Sequence, residues 1–398
     1  MKQKKQEINE SDLQGFKYFK RLSQLLERLH IAGCQRDRAG NRILHMDQYM
    51  TLLLLCMFSP VSKSLRSLQR ASELKKVQKK LGVPRSSLGS LSEAARVFDS
   101  NLLTGIIEQL AHELKPIPHS PKLDDVKAIL TIVDGTLLKA LPKTVEALLG
   151  DRNANAFKAH IQYDLLKAVP VKYELTDGRA NEKAVFQENL EAARVYVLDR
   201  GYAKYELLQQ IIDAGSHFVC RVNDTASFKL RQQRQLTPED IQAGVLRDMA
   251  VELGSQPKQE SLRQPVRLLE IKVTEQTEYS AVKLRYKGKT RPDTMLVATD
   301  MMDLSADCIS LIYKCRWQIE IFFRFFKHIL GCRHLLSYCE NGIELEIYAA
   351  IIACLIIALY TGRKPTLRTY EMFCWYLSGW ADEEELIAHI EHLQEQTA

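Results

Sequence analysis

The sequence predicts an α/β protein whose centre is a mixed sheet with flanking helices, with a helical region at each end and a β-rich insertion. Three observations carry this prediction. Residues 13–114 have helical spacing, short apolar runs alternate with amphipathic stretches between residues 128 and 222, and alternating strands occur within residues 223–291. Hydrophobic residues make up 46% and charged residues 26% of the chain, which excludes wholesale disorder, collagen and coiled coil.

The N-terminal helical region carries most of the positive charge. Residues 1–85 contain eighteen basic and seven acidic side chains, an excess larger than the +6 of the whole chain. From Glu371 onward there are seven acids and no Lys or Arg. A basic head and an acidic tail suggest a polyanionic partner at one end, so we predict that residues 1–120 form a helical, basic DNA-binding domain. The alternative is an ordinary helical bundle with solvated faces of opposite charge.

After a proline-rich linker at residues 115–121, strands and helices alternate. The predicted strands are 128–133, 157–166, 169–175, 194–198 and 217–222, and the predicted helices are 181–193 and 204–214. Two of the strands end in an aspartate, Asp134 or Asp199. Ligands gather at such strand ends in α/β sheets.

The rest of the chain divides into a β-rich insertion and a helical end. The insertion, at residues 223–291, is a polar stretch followed by strands at 265–273 and 279–286. A core strand at 295–299 and a long helix at about 305–330 come next, and residues 341–398 are predicted to be helical and to take part in dimerisation.

The cysteines and the apolar segments favour a soluble, intracellular protein without a signal peptide. Nine cysteines without a C-x-x-C pair indicate neither a zinc ribbon nor a disulfide framework, and a reducing cytosol fits them best. The longest apolar run, 14 residues at 347–360, is shorter than the roughly 20 residues of a membrane span and is typical of a buried core helix. We therefore expect no membrane partner.

A polar stripe marks the long helix at 305–330. Tyr313, Arg316, Glu320 and Lys327 fall within a wedge of about 60° on an ideal α-helix, among aromatic neighbours. The stripe could be a solvated face with an i,i+4 ion pair. If the helix packs on the sheet, Glu320 instead points toward the strand-end aspartates. Three converging carboxylates are a hard-oxygen site that suits Mg²⁺ or Mn²⁺, and two such ions serve phosphodiester transfer.

These residues carry a resemblance to a known family. The spacing Tyr313-x₂-Arg316-x₃-Glu320-x₆-Lys327 resembles the Tyr-Arg-Glu-Lys signature of bacterial insertion-sequence transposases, in the fourth insertion-sequence family of the DDE class. Asp199-Arg-Gly-Tyr202 resembles the block around that family's second aspartate, and Ile132-Val-Asp134-Gly-Thr resembles the block around the first. The similarity covers about residues 125–340.

The resemblance implies an RNase H-like catalytic core at residues 121–222 and 292–340, interrupted by the β insertion at 223–291. It implies that Asp134, Asp199 and Glu320 are catalytic and hold two Mg²⁺ or Mn²⁺ ions. The DNA and phosphate contacts implied by the family are Tyr313, Arg316, Lys327, Arg200 and Tyr202.

The function implied by the resemblance is that of a DNA transposase. Such an enzyme binds terminal inverted repeats as a homodimer, cleaves the ends of its element and joins their 3′ ends to target DNA. It works in the bacterial cytoplasm, on the nucleoid when bound. The alternatives are a catalytically silent, transposase-derived repressor or inhibitor, and a related metal-dependent nuclease that cleaves without joining.

A hairpin intermediate is a further expectation from the family. Relatives that form one hold a flipped base on an aromatic ring, often a tryptophan of the insertion, and stacking of this kind is worth about 1–3 kcal/mol. The three tryptophans here are Trp317, Trp375 and Trp380, all outside the insertion. The aromatic residues that could replace a tryptophan there are Tyr279, Tyr286 and Phe228, although each also suits an ordinary strand or core position.

Overall fold

The computed structural model describes residues 24–37, 40–59, 64–138, 157–177, 180–254, 262–273, 294–330, 336–337 and 339–395. The chain divides into two compact units. Unit 1 consists of Met1–Ile117, Leu137–Phe157 and Arg324–Ala398, and unit 2 consists of Pro118–Thr136 and Lys158–Phe323. The predicted boundaries at 120, 222, 292 and 340 divide the chain by function, and they stay a prediction.

The described N-terminal part of unit 1 is helical, as predicted. The helices are α1 (Leu29–Ala32), α2 (Met46–Met57), α3 (Leu65–Glu73), α4 (Lys75–Leu81), α5 (Leu88–Val97) and α6 (Thr104–Glu113). Ser64 and Ser87 begin α3 and α5 as N-caps, each accepting a hydrogen bond from the backbone three residues ahead. Gly82 ends α4 in the left-handed conformation, with φ 64°, which favours glycine at a helix C-terminus.

Within the described residues, nine strands form one sheet that lies almost entirely in unit 2, with the order β3-β2-β1-β4-β5-β9-β8-β7-β6. The bounds of its strands and of the helices between them are β1 (Ile129–Leu138), β2 (Phe157–Asp164), β3 (Val169–Asp177), α7 (Glu182–Glu188), β4 (Arg194–Leu198), α8 (Tyr205–Asp213), β5 (His217–Val222), β6 (Phe228–Gln233), α9 (Pro238–Gln242), β7 (Val245–Leu253), β8 (Val266–Lys272), β9 (Thr294–Thr299), α10 (Ala306–Cys315) and α11 (Trp317–Leu330).

The strand directions confirm the predicted fold class. Strands β1, β4 and β5 run parallel to one another. Strand β9 pairs antiparallel with β5, and β8, β7 and β6 continue the sheet as an antiparallel ribbon. The order β3-β2-β1-β4-β5, with β1, β4 and β5 parallel, is that of an RNase H-like core, and the strands of the insertion extend its sheet.

A buried ion pair fixes the inserted ribbon to the chain that leads into α10. Arg267 on β8 and Asp248 on β7 are 2% and 3% exposed, and two bonds of 2.9 and 2.7 Å join the guanidinium to the carboxylate. The guanidinium also donates to the carbonyl oxygens of Met302 and Leu304. A buried charge requires such complete pairing, and the result is a fixed entry into α10 and α11.

Three predictions need correction in detail. The helix predicted at 181–193 ends at Glu188, because the Asn189 side chain turns back to bond the Val185 carbonyl oxygen at 2.8 Å. The helix predicted at 305–330 is two helices that meet at Arg316. The polar stretch after residue 223 forms β6 and β7. The predicted strand at 279–286 lies outside the described residues.

The C-terminal part of unit 1 is helical, as predicted, with α12 (Glu340–Thr361), α13 (Leu367–Ser378) and α14 (Glu383–Glu395). By length and composition α12 could cross a membrane, but most of it is buried inside the protein, where it packs against α2, α5 and α6. Burial of this kind is typical of a core helix.

Candidate active site

The register of the parallel strands sets the two aspartates level with each other. Strand β1 does not end before Asp134 but runs on to Leu138. Its pairing with β4 matches Ile129 with Arg194 and Ile132 with Val197. The same register, continued by two residues, sets Asp134 opposite Asp199, which directly follows β4. Neighbouring strands lie about 4.8 Å apart, so the two carboxylates share one edge of the sheet.

Local hydrogen bonds orient both carboxylates. Asp199 begins the short 3₁₀ helix Arg200–Tyr202, and its Oδ1 accepts a hydrogen bond of 2.7 Å from the Gly201 N–H. Asp134 Oδ1 accepts a hydrogen bond of 2.8 Å from the Gly135 N–H. Each aspartate is thus held through one oxygen.

Arg316 brings the third predicted carboxylate to this edge. At the junction of α10 and α11, the Arg316 N–H donates to the Tyr313 carbonyl oxygen at 3.1 Å, which keeps the chain helical across the break. Arg316 Nη2 lies 2.6 Å from Glu320 Oε1, and Arg316 Nη1 lies 3.9 Å from Asp134 Oδ2. One guanidinium therefore stands between two of the three carboxylates.

The electrostatics indicate that Asp199 and Glu320 oppose the negative charge of Asp134. The pKa of Asp134 is raised to about 7: burial raises it most, the Arg316 charge lowers it, and Asp199 and Glu320 raise it. Burial opposes the charge of Arg316, but Tyr313, Glu320 and Asp134 outweigh it and raise the pKa of the guanidinium. The charge of Arg316 is therefore the balancing positive charge of this edge.

The carboxylate oxygens of these three acids are of the chemical type that binds a divalent metal ion. Mg²⁺ and Mn²⁺ prefer carboxylate oxygens, and clustered carboxylates need a cation among them. Within the described ranges, however, no group of three or more His, Cys, Asp or Glu side chains is close enough to hold a metal ion. Arg316, between Asp134 and Glu320, supplies the positive charge in the arrangement that the structure describes.

The other predicted contacts differ in how accessible they are. Tyr313 and Tyr202 are 4% and 1% exposed, and burial raises the pKa of Tyr313 to about 12. Arg200 is partly exposed. Lys327 lies on α11 in the part that belongs to unit 1. The roles of all four residues stay predictions.

One acidic residue beside the aspartates was not predicted. Glu182 begins α7, and its Oε1 lies 2.9 Å from Lys158 Nζ on β2. An acid in the first turn of a helix is common because it suits the helix dipole. The sequence therefore gives no signal that Glu182 lies near Asp134.

Of the three aromatic residues considered for a flipped base, the structure describes one. Phe228 at the start of β6 is partly buried and packs against the hydrophobic core of unit 2. Tyr279 and Tyr286 lie outside the described residues.

A basic surface lies on unit 1, and we call it the basic helix face. It is formed by α3, α4 and the residue Arg85, and its side chains are exposed. Its members are Arg66, Arg70, Lys75, Lys76, Lys79 and Arg85. Clustered Lys and Arg on short helices are the electrostatic footprint of nucleic-acid binding.

Comparisons with known proteins point to a family. A family model described as the transposase DDE domain matches residues 126–356, more than half of the chain. A protein of Sinorhizobium fredii named as a transposase is 28% identical over 239 residues, which are 58% of this chain and 61% of that protein. A transposase for insertion sequence element IS5377 of Geobacillus stearothermophilus is 24% identical over 281 residues, 69% of this chain and 68% of that protein.

Two further similarities are more distant. The transposase for insertion sequence element IS231B of Bacillus thuringiensis is 22% identical over 278 residues, 60% of this chain and 58% of that protein. The cryo-EM structure of a piggyBac transposase synaptic complex with hairpin DNA aligns with 95% of this chain and 84% of that chain at 9% identity, with a TM-score of 0.39. The match to the Sinorhizobium protein spans about three fifths of its length.

Proposed function

The chain belongs to the DDE transposase family, of the fourth insertion-sequence kind, and on this premise we propose that it is a DNA transposase that cleaves its element's ends and joins the 3′ ends to target DNA. The observation that carries the proposal is the level register of Asp134 and Asp199, with Glu320 joined to Asp134 through Arg316. Asp134 and Asp199 lie on or directly after neighbouring strands of an RNase H-like sheet, and Arg316 lies between Asp134 and Glu320.

The proposed catalytic residues are the three acids. Asp134, Asp199 and Glu320 would hold the divalent ions, Mg²⁺ or Mn²⁺. When bound, these ions would act as Lewis acids in a phosphodiester transfer. Gly135 and Gly201 fix the orientation of the two aspartates through their N–H groups.

The basic residues of the signature are proposed to bind phosphate. Arg316 has a planar guanidinium, which can donate two parallel hydrogen bonds to one phosphate group. Its present partners are carboxylates, so phosphate binding would require it to exchange them. Lys327 and Arg200 are proposed to contact the DNA backbone. Tyr313 and Tyr202 are buried, and we propose that they stabilise the site instead of touching the DNA.

The basic helix face supports the proposed binding of double-stranded DNA. We propose that residues 1–120 bind the terminal inverted repeats and that residues 341–398 contribute to a homodimer in the DNA complex. The protein would act in the bacterial cytoplasm, on the nucleoid when bound. A hairpin at the transposon end remains part of the proposal, and it calls for an aromatic residue outside the three tryptophans.

A second candidate function is that of a transposase-derived repressor, which binds DNA without cutting it. One observation favours it: the Arg316 guanidinium lies between Asp134 and Glu320, 3.9 and 2.6 Å from their oxygens, where a metal ion would have to bind.

The experiment that tests the proposal is a cleavage and strand-transfer assay with Mg²⁺ or Mn²⁺. The substrate carries the inverted repeats that flank the gene, and wild type is compared with Glu320→Ala. Metal-dependent cutting and joining that the variant loses would support the transposase. Specific binding without cutting would favour the repressor, and cutting without joining would favour a nuclease.

A further inference from the structure

Glu182 contacts the segments that carry both aspartates. Its carboxylate lies directly over Gly135, so closely that a Cβ on that glycine would lie only 3.0 Å from Oε1. Such a distance is tighter than nearly all Cβ contacts, so a side chain at position 135 would require Glu182 to shift by a few tenths of an ångström. A side chain introduced at position 135 would thus contact Glu182 directly.

The same carboxylate also reaches the block that follows Asp199. Burial raises the pKa of Tyr202, and the Glu182 carboxylate near its hydroxyl raises it further. The tyrosine ring also meets Phe186 of α7 edge to face, with 5.8 Å between the ring centroids and an angle of 89°. Because Tyr202 is 1% exposed, its hydroxyl needs a partner inside the protein. Helix α7 thus holds Tyr202 by one polar and one aromatic contact.

Lys158 fixes the position of Glu182. Its Nζ lies 2.9 Å from Glu182 Oε1, and it also donates to the Ala180 carbonyl oxygen at 3.5 Å. The Lys158 and Glu182 side chains are 16% and 32% exposed, so this pair is partly shielded from solvent. An ion pair alone would be unremarkable, because pairs near the surface contribute little. What distinguishes this one is that its carboxylate touches both aspartate-bearing segments.

We propose that Glu182, held by Lys158, is a positioning residue of the site: it accepts the Tyr202 hydrogen bond and packs on Gly135, and so keeps Asp199 and Asp134 at one level. The inference rests on the proposed function of those two aspartates. Glu182 does not touch the reacting atoms in this role. It acts through the two segments that carry them.

The test compares Glu182→Ala with Glu182→Gln, which keeps a carbonyl oxygen for Tyr202. Glu188→Ala is the matched control, because Glu188 is an exposed glutamate on the same helix. We expect Glu182→Ala to slow single-turnover cleavage by about tenfold or more at saturating DNA, since small displacements of reacting groups are costly. Binding of the DNA should stay unchanged, and Glu182→Gln should recover most of the rate.

A second readout does not depend on cleavage. The Gly201 N–H bonds Asp199 Oδ1 and the Tyr202 N–H bonds the Asp199 carbonyl oxygen, so amide exchange of residues 199–203 reports how well this segment is held. Glu182→Ala should speed that exchange by about threefold or more, whereas Glu188→Ala should not. Tyr202→Phe should reproduce the effect, and the double variant Glu182→Ala/Tyr202→Phe should add little to it.

The outcomes separate this inference from the proposed function. Exchange in Glu182→Ala equal to that in Glu188→Ala would overturn the positioning role, whatever the cleavage rates are. A loss as large in Glu182→Gln as in Glu182→Ala would overturn the hydrogen bond as its cause. If the wild type cuts no DNA, the proposed function fails, and the exchange measurement still decides whether Glu182 holds the segment.

Discussion

Each unit of the molecule holds an acid whose pKa is raised by its surroundings, and the two acids have different partners. In unit 1, Glu346 on α12 is 2% exposed, and it accepts hydrogen bonds from the backbone N–H groups of Leu336 at 3.0 Å and Ser337 at 2.7 Å. In unit 2, Asp134 faces Asp199 and Glu320 as well as Arg316. Burial raises the pKa of Glu346 to about 8 and that of Asp134 to about 7.

The difference separates a structural acid from the proposed catalytic acids. Glu346 fixes the chain at Leu336 and Ser337, and the fixed backbone dipoles satisfy it. In unit 2, Asp199 and Glu320 oppose the negative charge of Asp134, and the Arg316 side chain balances it. Groups kept in an unfavourable arrangement by the surrounding fold are typical of functional sites. The comparison therefore predicts that the two kinds of acid respond differently to the same change.

The largest expected effect on stability is at Glu346. Glu346→Ala would leave two buried N–H groups without an acceptor, and we expect it to lower the free energy of unfolding by about 2–4 kcal/mol. Asp134→Asn removes a repelled charge, and we expect an unchanged or higher free energy of unfolding. Urea denaturation of both variants checks this contrast. A comparable loss of stability at Asp134 would contradict it.

Arg316 offers a sharper test of the balance of charge in unit 2. If Arg316 supplies the positive charge between Asp134 and Glu320, a metal ion competes with it for the same oxygens. Arg316→Ala should then bind Mn²⁺ more tightly in the absence of DNA, by about tenfold, as measured by electron paramagnetic resonance. Arg263→Ala removes an exposed ion pair with Asp213 and serves as the control. Equal Mn²⁺ affinity in the two variants would rule out this competition.

A further prediction concerns pH. The folded-state pKa of Glu346 is raised above its ordinary value, so the stability linked to this group is fully present below about pH 4.5 and is lost as the pH rises toward about 8. Glu346→Gln does not titrate. The wild type should therefore lose stability relative to Glu346→Gln across that range, as followed by thermal unfolding, and parallel pH curves would contradict this account.

Much of the fold could be predicted because the central strands are continuous apolar runs. The strands at 194–198 and 217–222 have the bounds that the sequence predicts. Strand β6 could not be predicted, because it is a sheet edge whose side chains are mostly exposed Lys, Arg and Gln. Charged residues protect such an edge from pairing with other chains, and they remove the apolar signal of a strand.

The candidate site was predictable only in part. Helical spacing alone places Arg316 beside Glu320, as the structure has them. The level register of Asp134 and Asp199 depends on how β1 and β4 pair, which no local pattern encodes. The position of Glu182 near the aspartates could not be predicted from the sequence. Its proximity to Gly135 and Tyr202 arises from the packing of α7 against two segments that are distant in sequence.

The most direct test of the central claim compares the two kinds of acid in one assay. Metal-dependent cleavage and joining of inverted-repeat DNA would be measured for the wild type, Glu320→Gln and Glu346→Gln under single-turnover conditions. The account predicts a loss of about a thousandfold or more in Glu320→Gln and a rate close to wild type in folded Glu346→Gln. Cleavage that survives in Glu320→Gln, or that disappears equally in both variants, would contradict it.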